Sequence, residues 1–283
     1  MITVLESINL SSDYLKNKGI ESPRINAELL LAHVLNCKRL NLYLSFERPL
    51  TEAELKNYRE LLKRRSKFEP LQYIIGKVEF FGIDFIVNPS VLIPRQETEI
   101  LIETIIKQYD KYDKLNILDI GTGSGNIAIT LAKYLQNSFV TALDISEDAL
   151  KTANENAFLN NVNGRIEFIR LDFLTEDLTR NDFDIIVSNP PYISIKEFET
   201  LRPELKEFEP KVALTGYNSG IHFYDIISAK SIYLVKNGGR LFFEVGKGQS
   251  LKVKDIMEKN NFQNITITKD YLNIERVISG ENK

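Results

Sequence analysis

The chain has 283 residues, 43% of them hydrophobic and 27% charged, with a formal net charge of −3. Those proportions exclude a mainly disordered polymer, and the slight acidic excess lacks the basic signature of a protein that lives on nucleic acid. One cysteine, Cys37, leaves no internal disulfide and no multi-cysteine zinc site, and with only His33 and His222 as further soft ligands no metal is expected.

No stretch approaches ~18 uninterrupted apolar residues, and Glu6 and Asp13 stand where a signal peptide would be basic. A cytoplasmic monomer with no membrane partner is the expectation. Both histidines fall in helical apolar patterns (Leu29-Leu30-Leu31-Ala32-His33-Val34-Leu35 and Ile221-His222-Phe223), which favours a packed role over a catalytic one.

Residues 3 to 68 carry apolar positions at three- and four-residue spacing, as in Leu29, Leu30 and Val34 or Leu55, Tyr58, Leu61 and Leu62. Ser22-Pro23 and the capping box Thr51-Glu52-Ala53-Glu54 read as helix starts, and Lys18-Gly19 as a stop. A small helical bundle over 1–70 follows. At its end, Lys63-Arg64-Arg65-Ser66-Lys67 reads as a solvated helix terminus in preference to a contact with RNA or an acidic partner, the choice staying open.

From Gln72 to Asn88 the pattern turns to β-type, with Phe80-Phe81-Gly82-Ile83-Asp84-Phe85-Ile86-Val87 placing aromatic and β-branched residues around a glycine turn. Residues 71–90 are therefore expected to form a β-hairpin connector. Pro94 ends the strand-like run that follows, and Glu97 and Glu99 open a helix over 100–109.

Over 91–283, strands and helices alternate. Strands are expected at 117–120, 139–144, 165–171, 183–188, 240–245, 265–268 and 275–279, with helices from Gly125, over 147–160, 220–235 and 249–260. The prediction is an α/β domain on a seven-stranded, mostly parallel Rossmann-like sheet.

In such a sheet, ligands sit beyond the carboxyl ends of the strands. Asp119-Ile120-Gly121-Thr122-Gly123-Ser124-Gly125 puts a glycine-rich turn there, spaced GxGxG rather than the GxGxxG of dinucleotide binders. Asp144 ends the next strand, roughly 20 residues further on, where a carboxylate can accept hydrogen bonds from ribose hydroxyls. Leu171-Asp172-Phe173 offers a carboxylate and a ring for an adenine, although a core role for Phe173 is nearly as well founded.

Asn189-Pro190-Pro191-Tyr192 follows the apolar run Phe183-Asp184-Ile185-Ile186-Val187-Ser188. Asn189 Oδ1 and the Pro190 carbonyl can each accept one hydrogen from a planar NH2 group, and Tyr192 can lie flat against it. Two acceptors preorganised for charge building on that nitrogen stabilise the transition state more than the ground state. With the glycine turn upstream, the two motifs point to methyl transfer from S-adenosylmethionine to an amide or amine.

Over nearly its full length the chain resembles the release factor glutamine methyltransferases of bacteria and organelles. The matching pieces are Phe68-Glu69-Pro70-Leu71-Gln72-Tyr73-Ile74-Ile75-Gly76, Leu92-Ile93-Pro94-Arg95-Gln96-Glu97-Thr98-Glu99, the glycine turn, Ser188 to Tyr192, Phe208-Glu209-Pro210 with Ala213-Leu214, and Glu275-Arg276-Val277. The resemblance implies methylation of the glutamine side-chain amide in the Gly-Gly-Gln loop of peptide chain release factors. It implies a cofactor site of Gly121, Thr122, Gly123, Ser124, Gly125, Asp144, Phe173 and Asn189, a glutamine site of Asn189, Pro190, Pro191 and Tyr192, and catalysis by Asn189, Pro190 and Tyr192. It also implies that the N-terminal helical domain grips the release factor. The chain departs from the family pattern at Gln96, at Phe173 and in Tyr271-Leu272-Asn273-Ile274, none of them a catalytic position.

Two other readings share these residues. An adenine-amine methyltransferase acting on DNA or RNA could use the same clamp on a flipped base, but the acidic balance and the lack of a basic or aromatic-rich recognition domain oppose a nucleic-acid partner. A non-catalytic cofactor-binding subunit would have no use for an intact clamp.

Overall fold

The computed structural model describes residues 2–216 and 220–283. The described chain forms two compact units, one of residues up to Gly76 with Pro203–Phe208, the other of Lys77–Arg202 with Glu209–Lys283.

The first unit contains α1 (Val4–Asn17), α2 (Pro23–Val34), α3 (Arg39–Tyr43), α4 (Glu52–Arg65) and α5 (Leu71–Ile75), joined by the short helix Pro203–Phe208. Both α1 and α4 begin with a reciprocal capping box, Thr3 with Glu6 and Thr51 with Glu54, which satisfies backbone donors that a helix start leaves open. Pro23 occupies the first turn of α2, where its missing N–H costs nothing. Ile8, Leu15, Leu30, Leu31, Leu42 and Tyr58 are buried together, and the Tyr58 hydroxyl donates to the Ala27 carbonyl at 2.9 Å.

Charge is buried here too, and it is paired. Glu28 accepts from Arg24 at 2.9 Å, Arg39 at 2.7 Å and the Tyr43 hydroxyl at 2.9 Å. Lys63, Arg64 and Lys67 are exposed as a solvated basic terminus would be, but Arg65 departs from it: it is 4% exposed, donates to Asn26 Oδ1 at 2.7 Å and the Glu69 carbonyl at 3.0 Å, and pairs with Glu204. A buried guanidinium needs such partners for its forked donors. The segment 71–75 is a second correction. Despite its β-branched residues it is helical, because Pro70 starts it and Gly76 closes it.

The second unit opens with the hairpin β1 (Lys77–Phe80) and β2 (Ile83–Ile86), paired in the two-residue-turn register Phe80↔Ile83. It continues through α6 (Gln96–Ile106), β3 (Asn116–Ile120), α7 (Asn126–Tyr134), β4 (Phe139–Asp144), α8 (Glu147–Leu159), β5 (Ile166–Arg170) and β6 (Phe183–Ser188). After α9 (Ile195–Phe198), α10 (the Pro203–Phe208 helix already assigned to the first unit) and α11 (Lys211–Leu214) come α12 (His222–Ser231), β7 (Val235–Glu244), α13 (Ser250–Lys259), β8 (Gln263–Lys269) and β9 (Glu275–Glu281).

The seven-stranded sheet has the order β5-β4-β3-β6-β7-β9-β8, with β9 antiparallel to both its neighbours and the other pairs parallel. Alternation along each strand builds two cores. Ile117, Ile185, Val187 and Phe242 face one layer with α6 and α7, while Leu118, Ile186, Leu241 and Phe243 face the other with α12 and α13. Successive strands move outward from β3 to β4 and β5, then the chain returns to β6 on the opposite side of β3. That reversal is the switch point at which open α/β sheets bind ligands.

Among the described residues no helix is long and apolar enough to cross a membrane, and no group of three or more His, Cys, Asp or Glu could hold a metal ion.

Candidate active site

The turn after β3 and the loop after β6 leave the sheet side by side, because Ile120 and Ser188 are register partners. The Ser188 hydroxyl donates to the Ile120 carbonyl at 2.7 Å and fastens the two strand ends together. The backbone N–H groups of Gly121 and Thr122 both donate to the Leu143 carbonyl, at 2.9 and 2.8 Å, tying the turn to β4 as well.

A cavity of about 210 Å³ opens beside these strand ends. A trapped water needs only ~15 Å³, so this space is ligand-sized and not a packing defect. Gly121, Gly123, Asp144, Phe173, Asn189, Pro190 and Pro191 all line it. Gly121 and Gly123 have φ of +77° and +56°, and a Cβ at either would meet no atom within 4 Å. Their backbone is thus bare toward open space, as a ligand in close approach requires.

Asp144 is held from both sides, its Oδ2 accepting from Gly123 N–H at 2.9 Å and its Oδ1 from Ser146 N–H at 2.9 Å. Burial raises its carboxyl above the usual range, and the backbone donors of Ser146 and Gly123 oppose that rise. Each oxygen keeps a second lone pair for a hydroxyl donor. The Ser146 hydroxyl accepts from Ala149 N–H at 3.2 Å, so α8 has its cap without Asp144.

Phe173 is 6% exposed and contributes to both the apolar core and the cavity wall, with Lys230 Nζ 5.5 Å from its ring centre. Asp172 spends its carboxylate locally, on Leu174 N–H at 3.0 Å and the Thr175 hydroxyl at 2.8 Å.

Asn189 Nδ2 donates to Thr98 Oγ1 at 3.3 Å. Among the described residues nothing donates to Asn189 Oδ1 or to the Pro190 carbonyl. The remaining sequence-selected residues stand off the cavity. Thr122 is 2% exposed and gives its hydroxyl to Asp119 Oδ2 at 2.7 Å; Ser124 is 1% exposed. Gly125 is where α7 and α8 meet, and a Cβ there would lie 2.8 Å from Ile129 Cδ1. Tyr192 packs against Gly246 and accepts from Gln249 Nε2 at its carbonyl at 2.9 Å. Burial raises its hydroxyl well above the ordinary tyrosine range.

Three walls of the cavity carry no site role in the sequence: the segment Ser90, Val91 and Leu92, the α11 residues Val212 and Ala213, and Phe223 of α12. Two of these overlap the family-matching pieces, at Leu92 of Leu92-Ile93-Pro94-Arg95 and at Ala213, three residues after Glu209-Pro210. The structure joins them: Arg95 pairs with Glu209, which is 5% exposed and also accepts from Ile93 N–H at 3.4 Å.

Open glycine backbone, a half-buried carboxylate at the end of the next strand and largely apolar walls fit an adenosyl group, with the unengaged Asn189 Oδ1 on the same cavity. Two family models match, the PrmC N-terminal domain over residues 6–76 and the Methyltransferase small domain over residues 95–202. A methyltransferase structure from Pyrococcus furiosus superposes with a TM-score of 0.52 at 20% identity, covering 72% of this chain and 90% of that one, which shows the fold. The release factor glutamine methyltransferase of Fusobacterium nucleatum is 42% identical over 97% of this chain and 77% of its own. That of Chlorobaculum tepidum is 40% identical over 98% of this chain and 96% of its own. At such identity over almost the whole length, the chain belongs to the release factor glutamine methyltransferase family.

Proposed function

We propose that this protein transfers a methyl group from S-adenosylmethionine to the side-chain amide nitrogen of the glutamine in the Gly-Gly-Gln motif of peptide chain release factors. The observation that carries the proposal is that Asn189, Gly121 and Gly123 line one cavity at adjacent strand ends. S-adenosylmethionine, when bound, supplies an electrophilic methyl carbon on a sulfonium sulfur.

The chain's own residues would hold, orient and activate. Gly121 and Gly123 admit the donor close to the backbone, Asp144 accepts from ribose hydroxyls, and Phe173 with Leu92 and Phe223 contributes apolar walls. Asn189 Oδ1 and the Pro190 carbonyl accept the two hydrogens of the glutamine NH2. An amide nitrogen is a poor nucleophile because its lone pair is delocalised; two fixed acceptors favour the positive charge that grows on it during attack. No strong base is needed, since the methylated nitrogen is acidic and yields its proton readily to water. Tyr192, packed on Gly246, would fix the loop from behind and not by touching the amide.

The first unit would hold the protein substrate, using exposed apolar residues such as Leu40 and Leu44. The slight acidic excess accords with a protein partner, and the reading includes a cytoplasmic monomer that binds no nucleic acid.

The direct test is incubation with labelled S-adenosylmethionine and purified release factor, with its Gly-Gly-Gln glutamine intact or replaced. Label on the intact factor alone is expected. Label persisting on the replaced factor would sink the proposal.

A further inference from the structure

Behind the Asn189 carboxamide lies a pair of buried polar side chains that the chemistry above does not use. Thr98, in the first turn of α6, and Glu244, the last residue of β7, are each 1% exposed. The Thr98 hydroxyl donates to Glu244 Oε2 at 2.6 Å, and Asn189 Nδ2 donates to Thr98 Oγ1 at 3.3 Å. The Asn189 amide lies near enough to Glu244 to favour its carboxylate form slightly. Register explains the meeting: Ser188 pairs with Phe243, so the next residue of each strand, Asn189 and Glu244, emerges beside the other.

Donor and acceptor accounting makes this arrangement directional. A threonine hydroxyl has one hydrogen, and here the carboxylate takes it, so toward Asn189 the Thr98 oxygen can only accept. A carboxylate likewise only accepts. The edge of the Asn189 amide that faces the pair must therefore be its NH2, which turns Oδ1 the other way.

We propose that Thr98 and Glu244 are positioning residues that lock the Asn189 carboxamide in the one flip state presenting an acceptor, and not a donor, to the substrate amide. This rests on the reading of Asn189 as an acceptor for the substrate NH2. In the opposite flip Nδ2 would confront the substrate's own N–H groups, and the clamp would repel what it should hold.

The lock works only while Glu244 is ionised. A protonated Glu244 could donate to Thr98, free the threonine hydrogen for Asn189 Oδ1, and let the amide turn over. The charged groups facing Glu244 are Arg276 on β9, which favours the carboxylate, and Glu97 on α6, which opposes it; the nearby Tyr192 and Tyr224 hydroxyls are kept neutral by burial. Burial dominates and pushes Glu244 up to about 7. Transfer should therefore weaken as pH falls through that value.

Full-length wild type, Thr98→Val, Thr98→Ser and Glu244→Gln would be compared for kcat and KM on release factor, for S-adenosylmethionine Kd, and for pH profile. Thr98→Val keeps the shape without the relay, and kcat should fall by about tenfold or more with cofactor Kd within about twofold. Thr98→Ser restores the hydroxyl and should recover at least about half of the wild-type kcat. In Glu244→Gln the fall in rate below neutral pH should disappear. A kcat for Thr98→Val within about twofold of wild type, a serine variant as impaired as the valine one, or an acidic fall unchanged in Glu244→Gln would each overturn the proposal.

A second measurement needs no substrate. In 15N-labelled protein, the Asn189 side-chain NH2, assigned by its loss in Asn189→Asp, should exchange slowly in wild type and Thr98→Ser but quickly in Thr98→Val. Equal exchange in all three overturns the lock. If wild type leaves release factor unmethylated, the functional reading fails, and the exchange data still decide the lock.

Discussion

Ser188 reaches across from β6 to β3 and donates its hydroxyl to the Ile120 carbonyl at 2.7 Å, with the serine wholly buried. The bond sets the spacing between the glycine turn and the Asn189 loop, which begin one residue later on either strand. Ser188→Ala would leave that carbonyl without its side-chain donor, and a lost buried hydrogen bond of this kind costs about 1 to 2 kcal/mol. The expected outcome is a lower urea midpoint with an unchanged m-value, together with reduced kcat.

Asn189 and Asp144 line the same cavity but should fail differently. On the proposed function Asn189→Ala removes an acceptor used chiefly in the transition state, and kcat is expected to fall by about a hundredfold or more while cofactor binding largely survives. Asp144→Ala removes a carboxylate that also braces Gly123 and Ser146, so the cofactor Kd should rise, with a smaller change in kcat at saturation. Calorimetric titration alongside turnover separates the two. Equal losses of binding in both variants would contradict the assignment.

Arg95 and Glu209 join the segment before α6 to the segment before α11, both of which lead to cavity walls. Glu209 is the buried partner. Arg95→Met should cost about 2 to 3 kcal/mol by removing a cation paired with that buried carboxylate, whereas adding Glu209→Gln should return part of the loss. A double-mutant cycle on denaturation free energies checks this, and a strictly additive result would show the pair to be uncoupled.

Asp119 is fully buried in the turn, and burial pushes its carboxyl up to about 7 although Thr122 donates to it. In the unfolded chain an aspartate titrates near ~3.9. The folded state therefore holds the proton more tightly, and the stability linked to it is complete below about pH 4 and is lost as pH rises through about 7. Glu244 has the same sign. Asp119→Asn should flatten the decline of the urea midpoint across that window, leaving the variant relatively more stable on the alkaline side. An unaltered slope would mean that Asp119 is ionised in the fold at little cost.

Much of this molecule could be read from local pattern. The apolar runs ending in Asp144 and Ser188 became β4 and β6, and the Thr51 capping box opens α4 where expected. Residues 71–75 misled because β-branched composition is a weaker signal than a proline start and a glycine stop. Strand β7 begins at Val235, ahead of its expected start at Arg240, because Gly238 and Gly239 lie within it while the register with β6 shifts. The Thr98, Asn189 and Glu244 group was not legible at all. Its members come from α6, the β6 loop and β7, and only the pairing of parallel strands brings them together.

The Asn189 loop hangs from the middle of a seven-stranded sheet, with strands on both sides of β3 and β6. Such a position ties the start of that loop to the stiffness of the framework. Heating should then erode turnover and the sheet's dichroism along a single curve, with no cooler range in which a folded molecule has already stopped working.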